Sequence, residues 1–159
     1  MEASTARDEI NTLLDDTFGA ITPALKWRDT TFTLKPKQTA DNKDRDVAIA
    51  NKDRQVLTRL SKEKVGSLLG LVERHWKQRG YEVESVNPKD PSIQVRTSKG
   101  YELRLVVGGE ENIATFSSSV GDVKYHGEPY PFGPGDPAPT NSAGQPDYGL
   151  TYDDPFWSH

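Results

Sequence analysis

The 159-residue chain has no cysteine. That removes disulfides, thiolate nucleophiles, iron–sulfur clusters and thiolate zinc sites in one step. Its three histidines, His75, His126 and His159, are scattered. None has a second histidine at the i,i+3 or i,i+4 spacing of a helical metal site. No metal and no cofactor are therefore expected. No apolar run approaches the roughly 18–20 residues that cross a bilayer as a helix. The start, Met1-Glu2-Ala3-Ser4, has neither the basic n-region nor the apolar h-region of a secretory leader. Apolar residues make up 33% of the chain, against about 45–50% in ordinary soluble domains, so it is not expected to be globular from end to end. Positive charge is not in excess either: 20 Lys and Arg face 24 Asp and Glu. A phosphate-seeking surface is not the default for such a balance.

What is present is distributed in blocks. Residues 1–24 carry a net −4 and residues 52–79 a net +5. Residues 127–159 hold five acids, no Lys or Arg, seven of the eleven prolines and five of the thirteen glycines. Such a composition buries too little to offset its ordering entropy. The expected organisation is a single domain over 1–126 and a Pro/Gly-rich acidic extension over 127–159.

Apolar spacing supplies the elements. Ser4 or Thr5 can cap a first helix with Asp8 and Glu9 in its opening turn. Ile10, Leu13, Leu14, Phe18 and Ile21 share one face of that helix, and Gly19 and Pro23 close it. Residues 25–35, rich in Thr and aromatics, alternate through Thr30, Phe32 and Leu34 and read as a strand. Residues 36–45 are polar and turn-like. Residues 47–58 form a second strand in which Val47 and Ile49 oppose Val56 and Thr58 in parity, which predicts a bulge near Lys52 and Asp53. The second helix is the clearest element. Ser61 is its N-cap, Val65, Leu68, Leu69, Val72 and Trp76 form its stripe, and Gly80 sits at the position after the end that favours a left-handed residue. Gly66 and Gly70 inside it are read as allowing close approach to the sheet or the first helix. Four runs follow: 81–84, 93–95, 101–107 and 112–120. Each has one apolar and one polar parity, the signature of an antiparallel sheet with one wet face. The prediction is an α+β two-layer domain of order α-β-β-α-β-β-β-β, with both helices on one face of an antiparallel sheet. Its spine is the second helix, buried against Tyr101, Leu103, Leu105 and Phe116.

Catalytic readings find little support in these residues. Ser117-Ser118-Ser119 falls in a strand without the elbow that exposes a nucleophile. The pairs Asp15-Asp16, Glu110-Glu111 and Asp153-Asp154 are neighbours in sequence and do not face one another. Gly108-Gly109 lacks the following helix and Lys of a phosphate loop. His75 borders the apolar stripe beside Trp76 and reads as a packed histidine with one wet nitrogen. The basic block at 52–79 is interleaved with a core-facing stripe, so nucleic acid is not expected as a partner. No catalytic residue is nominated, and the chain is not expected to be an enzyme.

The extension is different in kind. Tyr148, Tyr152, Phe156 and Trp157 place four aromatics within ten residues after the 133–145 spacer. Either this end docks onto its own domain, with the spacer looping loosely, or it is an acidic-aromatic peptide for a partner, or it is disordered without a role. These four are the candidate partner-binding residues.

The segment VLTRLSKEKVGSLLGLVERHWKQRGYEVESVN…TSKGYELRLVVGGEENIATFSSSV, about residues 56–120, resembles the mature part of actinobacterial secreted lipoproteins of uncharacterised function. They share a capped helix ending in W-x-x-x-G-[YF], then strands with a G-[YF]-x-[LV]-x-[LV] run. This chain has no lipid-attachment cysteine. The resemblance implies an extracytoplasmic setting if a leader is removed, and otherwise the location is cytoplasmic; it supplies no catalytic residues. The leading expectation is a non-catalytic module that recognises a protein partner through its sheet face or its C-terminal aromatics. Alternatives are a cytoplasmic immunity or inhibitor protein that neutralises a basic partner, and a hydrolase whose site is not recognisable.

Overall fold

The computed structural model describes residues 1–38, 44–127 and 133–159. Their order is α1 (Ala3–Gly19), β1 (Trp27–Asp29), β2 (Thr33–Gln38), β3 (Asp44–Val56), α2 (Lys62–Gln78), β4 (Glu82–Asn87), β5 (Ser92–Arg96), β6 (Glu102–Gly108) and β7 (Ile113–Lys124). All pairings among these strands are antiparallel. β4, β5, β6 and β7 form a meander, β3 pairs with the far side of β7, and β1 and β2 lie end to end along the outer side of β3. α1 packs on β7 and β3, and α2 packs on β5. The class is α+β, two layers, with both helices on one face. Among the described residues no helix is long and apolar enough to cross a membrane.

The core is the inward parity of each strand closed by the two helix stripes. Ile93 and Val95, then Leu103, Leu105 and Val107, then Ala114 and Phe116 are all buried, as are Val65, Leu68, Val72 and Trp76 on α2. Leu69 lies at the edge of this stripe and is only partly buried. Trp76 is fully buried, meets Phe116 edge-on at 6.5 Å, and donates its indole N–H to Thr17 Oγ1 at 3.0 Å. That bond satisfies the one polar group a buried tryptophan carries. Ser61 caps α2 by accepting from the Lys64 N–H, and Gly80 follows its end at φ 79°.

Several local expectations are corrected. α1 begins at Ala3, not after Ser4 or Thr5; Glu2 is its N-cap and bonds no backbone group through its side chain. Ala3 and Ala6 are buried, and the Met1 carbonyl accepts from the Lys124 N–H, so packing pulls the start toward the terminus. Asp8 and Glu9 consequently lie beyond the first turn. The strand expected over 25–35 is divided into β1 and β2, because regular pairing stops at Thr30, whose N–H still donates to the Asp53 carbonyl. Its hydroxyl both donates to the Asp53 carbonyl and accepts from the Asp53 N–H. Of the turn expected over 36–45, residues 36–38 belong to β2 and 44–45 to β3, and 39–43 lie outside the described residues.

β3 runs unbroken through Lys52 and Asp53. The extra residue is on β7, where the register against β3 shifts between Ala48 and Ala50 and Asp122 takes φ 57°. The inward side chains of β3 are Ala48, Ala50, Lys52, Arg54 and Val56, all buried, while Ile49 faces outward. The glycines of α2 are also not contacts. A Cβ at Gly66 would meet nothing within 4 Å, and one at Gly70 would meet only the Arg74 guanidinium at 3.3 Å.

Candidate functional site

The described part of the C-terminal extension lies on the domain and is held there by backbone pairing. Tyr152 forms an isolated parallel bridge with Thr58: its N–H donates to the Leu57 carbonyl, and its carbonyl accepts from the Arg59 N–H, both at 2.8 Å. Asp154 then accepts from the N–H groups of Phe156 and Trp157, turning the chain inward. The Trp157 carbonyl accepts from the N–H of Ser61, the α2 cap, and the Trp157 indole N–H donates to the Pro23 carbonyl at 2.8 Å. Trp157 is 1% exposed and belongs to the hydrophobic core. Of the four aromatics nominated as partner contacts, Trp157 therefore offers no surface. A tryptophan whose N–H finds an acceptor is the side chain that gains most from burial.

The other three remain at the surface, each against a cation of the domain. Lys64 Nζ lies 3.7 Å from the Phe156 ring centroid, Lys26 Nζ 4.6 Å from that of Tyr152, and the Arg28 guanidinium carbon 5.4 Å from that of Tyr148. Phe156 and Tyr152 are partly exposed; Tyr148 is 65% exposed, more than any other large apolar side chain described. Arg59 pairs with Asp153, which His159 also reaches at 3.3 Å. Hydrogen bonding from His159 holds the Asp153 carboxyl below its ordinary value, with Arg59 adding to it and burial opposing both.

Part of the spacer is fixed as well. The Asp136 N–H donates to the Asp29 carbonyl, and Asp29 N–H donates to Asp136 Oδ2, both at 2.8 Å. Further along, Asn141 Oδ1 accepts from the N–H groups of Ala143 and Gln145. The expected loose loop is thus corrected over 135–136 and 141–145.

The sheet face opposite the helices has no element across it among those described. Its rows follow from the register. One runs Asp53, Ser117, Arg104, Gln94; a second Asn51, Ser119, Glu102, Arg96; a third Gln55, Thr115, Val106, Ser92. Of the serine run, Ser117 and Ser119 lie on this face and Ser118 points into the core, where it is fully buried. Arg96 pairs with Glu102 and Glu84, whereas Arg104 is exposed. The extension meets this face at Gln55 and Arg28: Gln55 Nε2 donates to the Tyr148 carbonyl at 2.9 Å, and Gln55 Oε1 accepts from Arg28 Nε at 3.0 Å.

Two charged clusters lie between α1 and its surroundings. His75 Nε2 is 2.9 Å from Asp16 Oδ2, and Arg79 grips both oxygens of the same carboxylate. Burial alone would raise Asp16, but the Arg79 and His75 hydrogen bonds outweigh it and hold the carboxyl down. The second cluster was not foreseen. Arg54, 2% exposed, donates to both Asp29 oxygens, pairs with Asp15 Oδ1 at 2.9 Å, and lies 3.7 Å from the Trp27 ring centroid. Lys52 adds bonds to Asp29 Oδ2 at 2.8 Å and Asn11 Oδ1 at 2.6 Å. Burial pushes Asp29 upward, yet Arg54 and Lys52 together keep it below the ordinary carboxylate value. The available signal was Lys52 and Arg54 on the same parity as Ala50 and Val56.

A cleft of about 420 Å³ opens where α2 has ended, between Glu9 and Leu13 of α1, Tyr81, and Thr97, Lys99 and Tyr101 at the β5–β6 turn. Burial raises the Tyr101 hydroxyl, and the neighbouring Glu9 carboxylate raises it further. Among the described residues no three His, Asp or Glu gather closely enough to hold a metal ion. Comparison of the chain with protein-family models, curated proteins and solved structures finds no match.

Proposed function

We propose that this chain is a non-catalytic recognition module that binds a protein partner over the open face of its sheet, with Tyr148 at the rim. One observation carries the reading. The most exposed aromatic among the described residues is fixed at the border of the uncovered face, through Gln55 and Arg28. Of the C-terminal aromatics, Tyr148 is the one that lies beside the sheet face, which supports joining these two candidates of the sequence in one reading. Six strand positions about 4.8 Å apart and about six residues deep span on the order of 500 Å². With the rim at Arg28 and Tyr148 this approaches the roughly 800 Å² per partner of a standard interface. Arg104 near its middle is a side chain of the type that anchors such contacts. An extracytoplasmic bacterial setting, as implied by the resemblance to secreted actinobacterial lipoproteins, belongs to the same proposal.

The reading of an inhibitor with an acidic tail draws less support. Asp136, Asp147, Asp153 and Asp154 all accept hydrogen bonds within the chain. A hydrolase would need a reactive group poised for substrate, and the Asp16 carboxylate is already gripped by His75 and Arg79. The test is site-specific photocrosslinking in the source cell's extract. A crosslinker at position 117 should trap a defined protein, one at position 78 on the opposite side should not, and Arg104→Glu should abolish the product without lowering the melting temperature. Equal trapping from both positions, or trapping that ignores Arg104→Glu, would refute it.

A further inference from the structure

The gap between β1 and β2 is where the extension is clamped most tightly to the domain. A Cβ on Gly135 would lie 2.6 Å from the Thr30 carbonyl carbon and 2.7 Å from the Thr31 nitrogen. Both distances are inside backbone contact, so only glycine fits. With the two Asp29–Asp136 bonds, this presses one stretch of backbone onto another and leaves a pocket of about 280 Å³ beside it. Arg28, Thr31, Asp136, Pro137 and Tyr148 line it.

The lining defines a ligand chemistry. It holds one cation and one carboxylate, so it has no excess charge with which to select a phosphate or a carboxylate. The Arg28 guanidinium is held flat by Gln55 Oε1 at 3.0 Å and the Asp136 carbonyl at 3.2 Å, leaving further N–H donors. Asp136 uses Oδ2 on the Asp29 N–H and keeps its other oxygen as an acceptor. Thr31 supplies a hydroxyl. The Tyr148 ring, 65% exposed, supplies an apolar wall. Drug-sized ligands occupy about 300–1,000 Å³, so this pocket suits a single small ring. A pyranose matches each property: it is neutral, its ring presents C–H groups on a face, and its rim carries hydroxyls that both donate and accept.

We infer that this pocket binds one pyranose unit of a neutral saccharide, stacked on Tyr148 with its hydroxyls bonded to Arg28 and Asp136. The backbone clamp makes the site preorganised, which lowers the ordering cost of binding. The inference goes beyond the partner-binding reading and shares only Tyr148 and its supports with it, so Arg104→Glu separates the two.

The experiment is an NMR titration of the full chain with neutral trisaccharides of glucose, galactose, mannose and N-acetylglucosamine, with inorganic phosphate as the anionic control. At least one saccharide should shift the amides of residues 29–31, 136 and 138 saturably, at a Kd below about 10 mM. Tyr148→Ala should weaken that binding about tenfold, the size of one lost ring contact. Tyr148→Phe keeps the ring and should stay within about threefold, because a hydroxyl at an exposed rim is replaced by water at little net cost. Arg104→Glu should bind the saccharide as the native chain does. The inference is overturned if no neutral saccharide shifts those amides, if phosphate shifts them instead, or if Tyr148→Ala binds unchanged.

Discussion

Trp157→Ala is the substitution that most directly tests whether the C-terminal end is part of the fold. The side chain is 1% exposed and sits in the same buried cluster as Leu60, Val65 and Leu25. Truncating a buried tryptophan costs about 3–5 kcal/mol, the lost transfer free energy plus the cavity left behind. The hydrogen bond adds little to this figure. Pro23, whose carbonyl accepts from the indole, is itself exposed, so water can take the place of the N–H. In a domain of this size each kcal/mol moves the melting temperature by about 2–4 °C. The expected drop is therefore about 6–20 °C by differential scanning calorimetry at pH 7. Tyr148→Ala is the control from the same segment: at 65% exposure it should stay within about 0.5 kcal/mol of the native chain. High salt should leave the difference between the two variants nearly unchanged, because it screens the exposed Arg59–Asp153 pair and not the buried ring. If Trp157→Ala melts within about 2 °C of the native chain, residues 150–159 do not contribute to the core and the reasoning fails.

Trp76→Ala should cost about 3–5 kcal/mol in a urea titration, since the ring is fully buried against Phe116, while Thr17 Oγ1 loses the indole donor but keeps its bond to the Leu13 carbonyl. Gly66→Ala should raise stability by about 0.5–1 kcal/mol, because the new methyl meets nothing and an interior helical glycine is replaced by the best helix former; a lower melting temperature would show that something does approach that face. Asp29→Ala should cost about 3–5 kcal/mol by leaving Arg54 buried with a depleted set of partners. Because the folded Asp29 carboxyl titrates below its ordinary value, its contribution is complete above about pH 4 and is lost as pH falls through the lower folded value. The native chain should therefore lose stability on acidification below pH 4 more steeply than Asp29→Ala does, which melting curves at stepped pH will read.

The fold was legible where the apolar period was unbroken. Val65 to Trp76 and Leu103 to Val107 each repeat one inward residue per turn or per two residues, and Ser61 and Gly80 mark where the helix can begin and end. β3 was harder for a physical reason. Its inward parity is Ala48, Ala50, Lys52, Arg54 and Val56, which looks like a solvated face, while outward Val47 and Ile49 look like a core face. A strand that buries charge inverts the alternation on which the pattern is read. Only the partners, Asp29 from the strand beside it and Asp15 and Asn11 from α1, make that burial tolerable. None of them is near in sequence. The α2 glycines misled in the opposite way: their spacing suggests a close approach, but they lie off the buried stripe.

The C-terminal surface shows the same limit at the level of the site. Composition alone marks 127–159 as too lean to fold, and as an isolated segment that reasoning holds. It breaks down because the segment does not need a core of its own. One residue, Trp157, is inserted in the core of the preceding domain, and backbone bonds at Asp136, Tyr152 and Ser61 fix the path on either side. The prolines and glycines that read as disorder then act as constraints. Gly135 permits a contact no other residue could make, and every proline in the path removes an N–H that would otherwise need a partner. What the sequence offered as a choice between self-docking and a partner peptide is divided residue by residue. Trp157 is held in the core, and Tyr148 is carried by that anchorage to the edge of the open sheet face, where it remains exposed.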